Sequence, residues 1–187
     1  MKTAGVVGLG DMGSGLAKNL IKNGFSVKGA DLLSNRCAAF EGLGGQICSS
    51  PAEVGCEAQA VFVMVMKGTE VEDVIFGAEG LLTTMAKGSA IILSATIKPS
   101  EARKLGHAMA NSGIHLIDTP VSGGFPGAQA GTLTLMAAAP DATLDAFLPF
   151  LEAVSANIHR VGTQPGDGQT VKACLQSLIG AQFSATF

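Results

Sequence analysis

The chain has 187 residues, 47% of them hydrophobic, with 25 glycines, nine phenylalanines and neither tryptophan nor tyrosine. That length can bury one sizeable core, and the wealth of small and aliphatic residues is the composition of α/β proteins whose helices pack closely on a sheet. A net charge of −3 with an isoelectric point near 5.5 excludes a basic face for phosphate backbones or anionic membranes, so neither nucleic acid nor membrane is expected as a partner.

Mean hydropathy is +0.39, yet no uninterrupted apolar run reaches the ~18–20 residues that span a bilayer. Lys2 to Val7 already reads as a strand, which leaves no room for a signal peptide. Cys37, Cys48, Cys56 and Cys174 are scattered, with no C-x-x-C pair and no histidine at ligand spacing. Reduced thiols, no metal site and a cytoplasmic location are therefore expected.

Residues 3–8 read as the first strand, 11–23 as a helix closed by Gly24, and 25–30 as a second strand ending at Asp31. Ser34 is expected to cap a helix running to about Leu43, which Gly44-Gly45 ends. Ser50-Pro51-Ala52-Glu53 combines a cap, a first-turn proline and a glutamate three residues on, so a short helix starts there. Residues 60–66 form a continuous apolar run, as in a parallel strand covered on both faces. Met64 and Met66 are read as core within it.

Residues 71–76 read as helix, 90–93 as another buried strand, and Pro99 opens a helix that ends near Gly113. Residues 114–117 give the next strand. Asp118 through Gly131 reads as a long glycine-rich loop, followed by a strand over 132–138, a helix from Asp141 to about Ala153 and a strand over 157–161. From Gly168 to Phe187 runs one helix without a stop signal, whose Leu175, Leu178, Ile179 and Phe183 need a surface to pack against. The alternation predicts a doubly wound, mostly parallel Rossmann-type α/β sheet over residues 1–163. Residues 164–187 are expected to begin the helix that leads to a further, all-α domain.

Gly8-Leu9-Gly10-Asp11-Met12-Gly13 fits G-x-G-x-x-G between the first strand and the first helix. Glycine there permits a tight turn, backbone approach to a pyrophosphate and close helix–strand packing, while the helix N-terminus offers its free N–H groups to the anion. Asp31 ends the second strand eighteen residues after Gly13, where a carboxylate accepts hydrogen bonds from ribose hydroxyls and repels a 2′-phosphate. NAD is therefore expected over NADP. Arg36 lies close enough to bear on that preference, but reads as part of a solvated helix face.

Ligands of a doubly wound sheet sit beyond the carboxyl ends of its strands. Val65-Met66-Lys67, Ser94-Ala95-Thr96 and the 118–131 segment are the candidates by position. Ser122 with the N–H groups of Gly123 and Gly124 can form a nest for a carboxylate, and an ordinary loop is the equal alternative. Lys172 lies in an apolar helix with Gln176 one turn later on the same face. Desolvation lowers a lysine pKa and readies it for proton transfer; a lysine snorkelling from a packed helix is the competing reading. His107, His115 and His159 share no ligand spacing and read as structural or exposed.

The glycine turn, Ser94-Ala95-Thr96-Ile97-Lys98-Pro99, Asp118-Thr119-Pro120-Val121-Ser122-Gly123-Gly124, and Gly166-Asp167-Gly168-Gln169 followed by Lys172 resemble, in order, four motifs of the β-hydroxyacid dehydrogenases. The resemblance implies that Lys172 is the catalytic acid/base, that Ser122, Gly123 and Gly124 hold a substrate carboxylate, and that Thr96 lies near the nicotinamide. It further implies a small hydroxy-acid substrate, hydride exchange with NAD, and a following all-helical domain that completes the substrate site and mediates homo-oligomerisation. Two departures stand out. Gln176 replaces the family's usual asparagine, as in the L-threonate dehydrogenase subgroup, and suits a polyhydroxylated acid. Met66-Lys67 replaces a common proline on the adenine-side wall. Within the family, 3-hydroxyisobutyrate oxidation and tartronate semialdehyde reduction are the alternatives. Outside it stands a non-catalytic dinucleotide-binding scaffold, the role of relatives that have lost the lysine, which this chain retains as Lys172.

Overall fold

The computed structural model describes residues 2–186. Six short strands lie parallel in the order β3 (Gln46–Ile47), β2 (Ser26–Ala30), β1 (Thr3–Val7), β4 (Ala60–Val63), β5 (Ala90–Leu93), β6 (His115–Asp118). Beyond β6, strand β8 (Leu133–Ala138) runs antiparallel; it pairs with the two-residue β7 (Val121–Ser122) and, in parallel, with β9 (Ser155–Gly162). The strand order reverses between β1 and β4, which makes the crevice there the switch point where such sheets take ligands.

Successive strand residues point to opposite faces, so one sheet feeds two cores. Val6, Phe62, Ile92 and Ile117 meet Leu16 and Leu20 of α1 (Asp11–Lys22) and Leu144, Phe150 and Leu151 of α7 (Asp141–Glu152). Val7, Val61, Val63, Ile91 and Leu93 meet Val54 of α3 (Pro51–Gly55), Val71 and Ile75 of α4 (Gly68–Phe76) and Leu105 of α5 (Pro99–Met109). Each fully buried Leu, Ile or Phe contributes about 1.5–3 kcal/mol of transfer free energy. The mostly parallel Rossmann-type sheet expected from the sequence is present.

Several local expectations need correction. Ser34 does not cap α2 (Ser34–Glu41); it is the first helical residue, Leu33 holds the cap position, and Asp31 Oδ1 accepts the Leu33 N–H at 2.9 Å instead. Gly44, with φ +88, turns the chain only after that helix has ended. β3 is too short to carry a pattern. β4 ends at Val63, near where β1 ends, and Met66 is 84% exposed, so it is not core. The α5 helix stops at Met109, before Gly113. The 118–131 segment is not a loop: it holds β7 and the short helix α6 (Gly124–Ala130). Gly123 and Gly124, with φ +124 and +59, turn the chain into that helix in a region that L side chains rarely adopt.

The last helix, α8 (Asp167–Thr186), touches β6, β8, β9 and α5 through its first turns, where Gly168, Gln169 and Lys172 are buried. Farther along, Leu178 and Phe183 are 59% and 62% exposed. No helix among the described residues is long and apolar enough to cross a membrane.

Candidate functional site

The glycine turn leaves β1 at Val7. Gly8 has φ +92, and a Cβ there would come within 2.5 Å of the Met64 carbonyl. A Cβ on Gly13 would run into the Gly8 carbonyl oxygen, so these two glycines let the turn close on itself and on β4. Gly10 caps α1 with extended backbone and no side-chain bond, so the N–H groups of Asp11 and Met12 have no intrahelical partner. The result is a concave, side-chain-free cradle at a helix N-terminus, which fits a pyrophosphate.

Asp31 is part of this turn. Its Oδ2 accepts the Leu9 N–H at 2.7 Å, and its carboxylate is only 6% exposed. Arg36 does not lie free on a solvated face. Its Nη1 sits 3.4 Å from Asp31 Oδ2, and its guanidinium lies 3.5 Å from where a Gly10 Cβ would project. Leu32, fully exposed beside Asp31, and Met66 beyond β4 offer apolar surface at the same edge of the sheet. Leu32 escaped the sequence reading, although an apolar pair directly after a strand-end acid was its signal.

α1 is clamped to α6. A Cβ on Gly15 would lie 2.6 Å from the Ala128 backbone, so the two helices touch main chain to main chain. Asn19, 4% exposed, donates through Nδ2 to Gly15 O and to Ala128 O, both at 2.8 Å. Gln129 Nε2 donates back to Asp11 O and Ser14 Oγ at 3.3 Å. This fixes Ser122, Gly123 and Gly124, which lead into α6, relative to the phosphate turn. Neither Asn19 nor Gln129 was marked by any motif.

At the other side, Leu93 pairs with Asp118, and the next residues, Ser94 and Thr119, bury hydroxyls that find no partner among the described residues. Asp118 is fully buried. Its Oδ2 accepts the Gly166 and Gln169 N–H groups at 2.7 and 3.2 Å, and its Oδ1 accepts Gln169 Nε2 at 2.9 Å. Burial pushes its pKa up, and the N–H donors hold it back. A carboxylate from β6 thus caps α8 from outside that helix. Gly168 is a packing glycine here: a Cβ would meet Met136 O at 2.5 Å and Asp118 O at 2.9 Å.

Lys172, one turn into α8, is 8% exposed and makes no hydrogen bond or ion pair with the described residues. Desolvation by its surroundings lowers its pKa below the ordinary 10.5. Gln176, a turn further, is exposed, as are Thr96 after β5, Gly123 and Gly124; Ser122 is half-buried. The structure therefore brings the phosphate turn, Asp31, Val65-Met66, Thr96, the 122–124 segment and the helix of Lys172 to one edge of the sheet. The described residues hold no cluster of His, Cys, Asp and Glu that fits a metal ion.

Residues 3–162 match the family described as the NAD binding domain of 6-phosphogluconate dehydrogenase. L-threonate dehydrogenase of Escherichia coli O6:H1 is 38% identical over 97% of this chain and 60% of its own length. That of Cupriavidus necator is 36% identical over 98% and 62%. The crystal structure of 3-hydroxyisobutyrate dehydrogenase from Salmonella typhimurium superposes with a TM-score of 0.92 and 34% identity, over 99% of this chain and 65% of that one. The chain thus spans about three fifths of the length of the relatives it matches. A glycine cradle closed on β1 and β4, a strand-end acid bonded to it, and a family match over nearly the whole sheet agree: the chain belongs to the family of NAD binding domains to which that of 6-phosphogluconate dehydrogenase belongs.

Proposed function

We propose that this chain is the dinucleotide-binding part of an NAD-dependent hydroxy-acid dehydrogenase that acts on a small sugar acid of the L-threonate kind. The observation that carries the reading is Lys172: a buried, unpartnered lysine at the carboxyl edge of the sheet. In this reading the first-turn N–H groups of α1 bind the pyrophosphate, and the second lone pairs of Asp31 accept from the adenosine ribose. Ser122 and the Gly123 and Gly124 N–H groups grip the substrate carboxylate. Thr96 borders the nicotinamide, Val65 and Met66 the adenine side, and Gln176 addresses a substrate hydroxyl. NAD held there would supply the acceptor for a hydride from the substrate's carbinol carbon. Lys172 takes the hydroxyl proton at Nζ, and its desolvation favours the neutral amine that this requires. In the reverse direction the same ammonium returns the proton.

The NAD preference rests on Asp31, whose carboxylate repels a 2′-phosphate, with Arg36 beside it as the countering charge. Residues 1–163 form the cofactor domain, and 164–187 begin a helix leading to an all-α domain through which a cytoplasmic homo-oligomer assembles. The likeness to 3-hydroxyisobutyrate dehydrogenase supports a branched hydroxy acid as the second reading. NAD and NADP reduction across a panel of three- to six-carbon hydroxy acids, with Lys172→Ala alongside, tests all of this. Lys172-dependent NAD reduction with threonate is the expected result. Activity confined to 3-hydroxyisobutyrate moves the substrate assignment to the second reading. Retained NAD binding without Lys172-dependent turnover on any acid overturns the enzyme reading in favour of a binding scaffold.

A further inference from the structure

Gln169 sits at the joint between three separate pieces of the site. It is 1% exposed, and its amide is fully engaged. Oε1 accepts the Ile97 N–H at 3.0 Å; Nε2 donates to Ala95 O at 3.0 Å and to Asp118 Oδ1 at 2.9 Å. One side chain therefore ties α8 to the segment carrying Thr96 after β5 and to the end of β6, from which residues 120–124 depart. Lys172 follows at i+3, on the same face of the helix.

The direction of every bond in this joint is fixed. A backbone N–H only donates and a backbone C=O only accepts, so Ile97 and Ala95 leave the amide a single orientation. Its second N–H then faces Asp118 Oδ1, which must accept. Asp118 Oδ2 already accepts two backbone N–H groups. All its bonds are accepted ones, so the joint needs a carboxylate at position 118; a carboxamide would set N–H against N–H. Reversing the amide to relieve that conflict would move the same clash to Ile97.

We infer that Gln169, oriented by Asp118, is the positioning residue that sets Lys172 against the ends of β5 and β6. The inference rests on the reading of Lys172 as the proton-transferring group. It makes Asp118→Asn, ordinarily a mild change, a disruptive one. It also makes the double variant Asp118→Asn/Gln169→Glu a rescue. In that pair the carboxamide introduced at position 118 keeps an oxygen for the backbone N–H groups of Gly166 and of position 169. Its amide donates to the carboxylate introduced at position 169, whose other oxygen still accepts from Ile97. The Ala95 carbonyl, 3.0 Å from that position, then faces an acid oxygen and keeps a donor only through the protonated form, which burial favours.

The test needs no turnover. Competitive labelling of amines with an anhydride, read by mass spectrometry across pH, reports the titration midpoint of Lys172 against exposed Lys18 and Lys104. Thermal unfolding and NAD binding report the rest of the fold. In the wild type the midpoint of Lys172 lies below those of the exposed lysines. In Asp118→Asn it moves up to theirs, labelling at neutral pH drops severalfold, and Tm falls. The double variant recovers more than half of both changes. Gln169→Asn, whose amide is one methylene too short to span the joint, matches Asp118→Asn and replaces it if that variant fails to fold. A wild-type midpoint no lower than those of the exposed lysines overturns the inference. So does a fall in Tm with an unmoved midpoint, or a double variant no better than the single one. Failure of the lysine reading looks different: Lys172→Ala would turn over normally while the labelling results stood.

Discussion

The two ends of the sheet's carboxyl edge are built by different means. Around β1, β2 and β4 the surface offered to a ligand is main chain: a turn closed by Gly8 and Gly13, with one carboxylate bonded back to Leu9 across 22 residues. Around β5, β6 and α8 the work falls to buried side chains reaching across 48 to 74 residues of sequence, as Asp118 and Gln169 do. A main-chain site tolerates no added atoms but is indifferent to most neighbours. A side-chain site tolerates changes of shape poorly and changes of donor and acceptor not at all. The two should therefore break differently.

The largest expected effect is at the main-chain end. Gly13→Ala forces a methyl into the Gly8 carbonyl, where only backbone can give way, and should cost about 3 kcal/mol and abolish NAD binding. Urea unfolding and calorimetric titration with NAD measure both; near-wild-type stability would mean that the turn is slack. Asp31→Ala comes next. It strips an ionised acceptor from the Leu9 and Leu33 N–H groups, for about 2 kcal/mol of stability, and lowers NAD affinity about tenfold or more.

Lys172→Met should go the other way. Replacing a desolvated cation by an apolar chain of similar length raises stability by about 1 kcal/mol at neutral pH. The sign follows from linkage. Between the lowered folded-state pKa and 10.5 the unfolded chain still holds a proton that the folded chain has lost, so wild-type stability rises with pH through that window. The advantage of methionine should shrink over the same range in urea midpoints taken at several pH values, and an advantage independent of pH would locate the effect elsewhere. The smallest effect belongs to Arg36→Ala. Its ion pair is long and its side chain 43% exposed, so stability should change by less than about 0.5 kcal/mol. The ratio of NADP to NAD dissociation constants should rise, since the remaining charge near the ribose is Asp31.

The same contrast explains what the sequence revealed. Gly8-Leu9-Gly10-Asp11-Met12-Gly13 and Asp31 were legible because a main-chain site needs glycine at fixed local spacing and an acid at a strand end. The sheet was legible because its strands are short apolar runs closed by punctuation. The 118–131 segment misled because glycine density reads as disorder, whereas Gly123 and Gly124 supply the positive φ that starts a helix. Asp118 and Gln169 stood inside recognisable motifs, yet nothing local told that they bond each other, since their partners come from three elements. Asn19 left no trace at all: a polar residue in an apolar helix face is meaningful only once α6 lies against it. Arg36 looked solvated because its acid lies on another element.

The main-chain contact of Gly15 with Ala128, locked by Asn19, has a consequence for how such a protein can diversify. It makes the proposed grips on the cofactor and on the acid group one casting, with no adjustable seam between them. New preferences cannot be reached by sliding one past the other. They have to be written on whatever faces that casting from the far side, beginning with the exposed flank of α8 at Gln176. Exchanging the α8 flank, together with the all-α domain proposed to follow it, between relatives should transfer substrate choice while leaving dinucleotide affinity where it was.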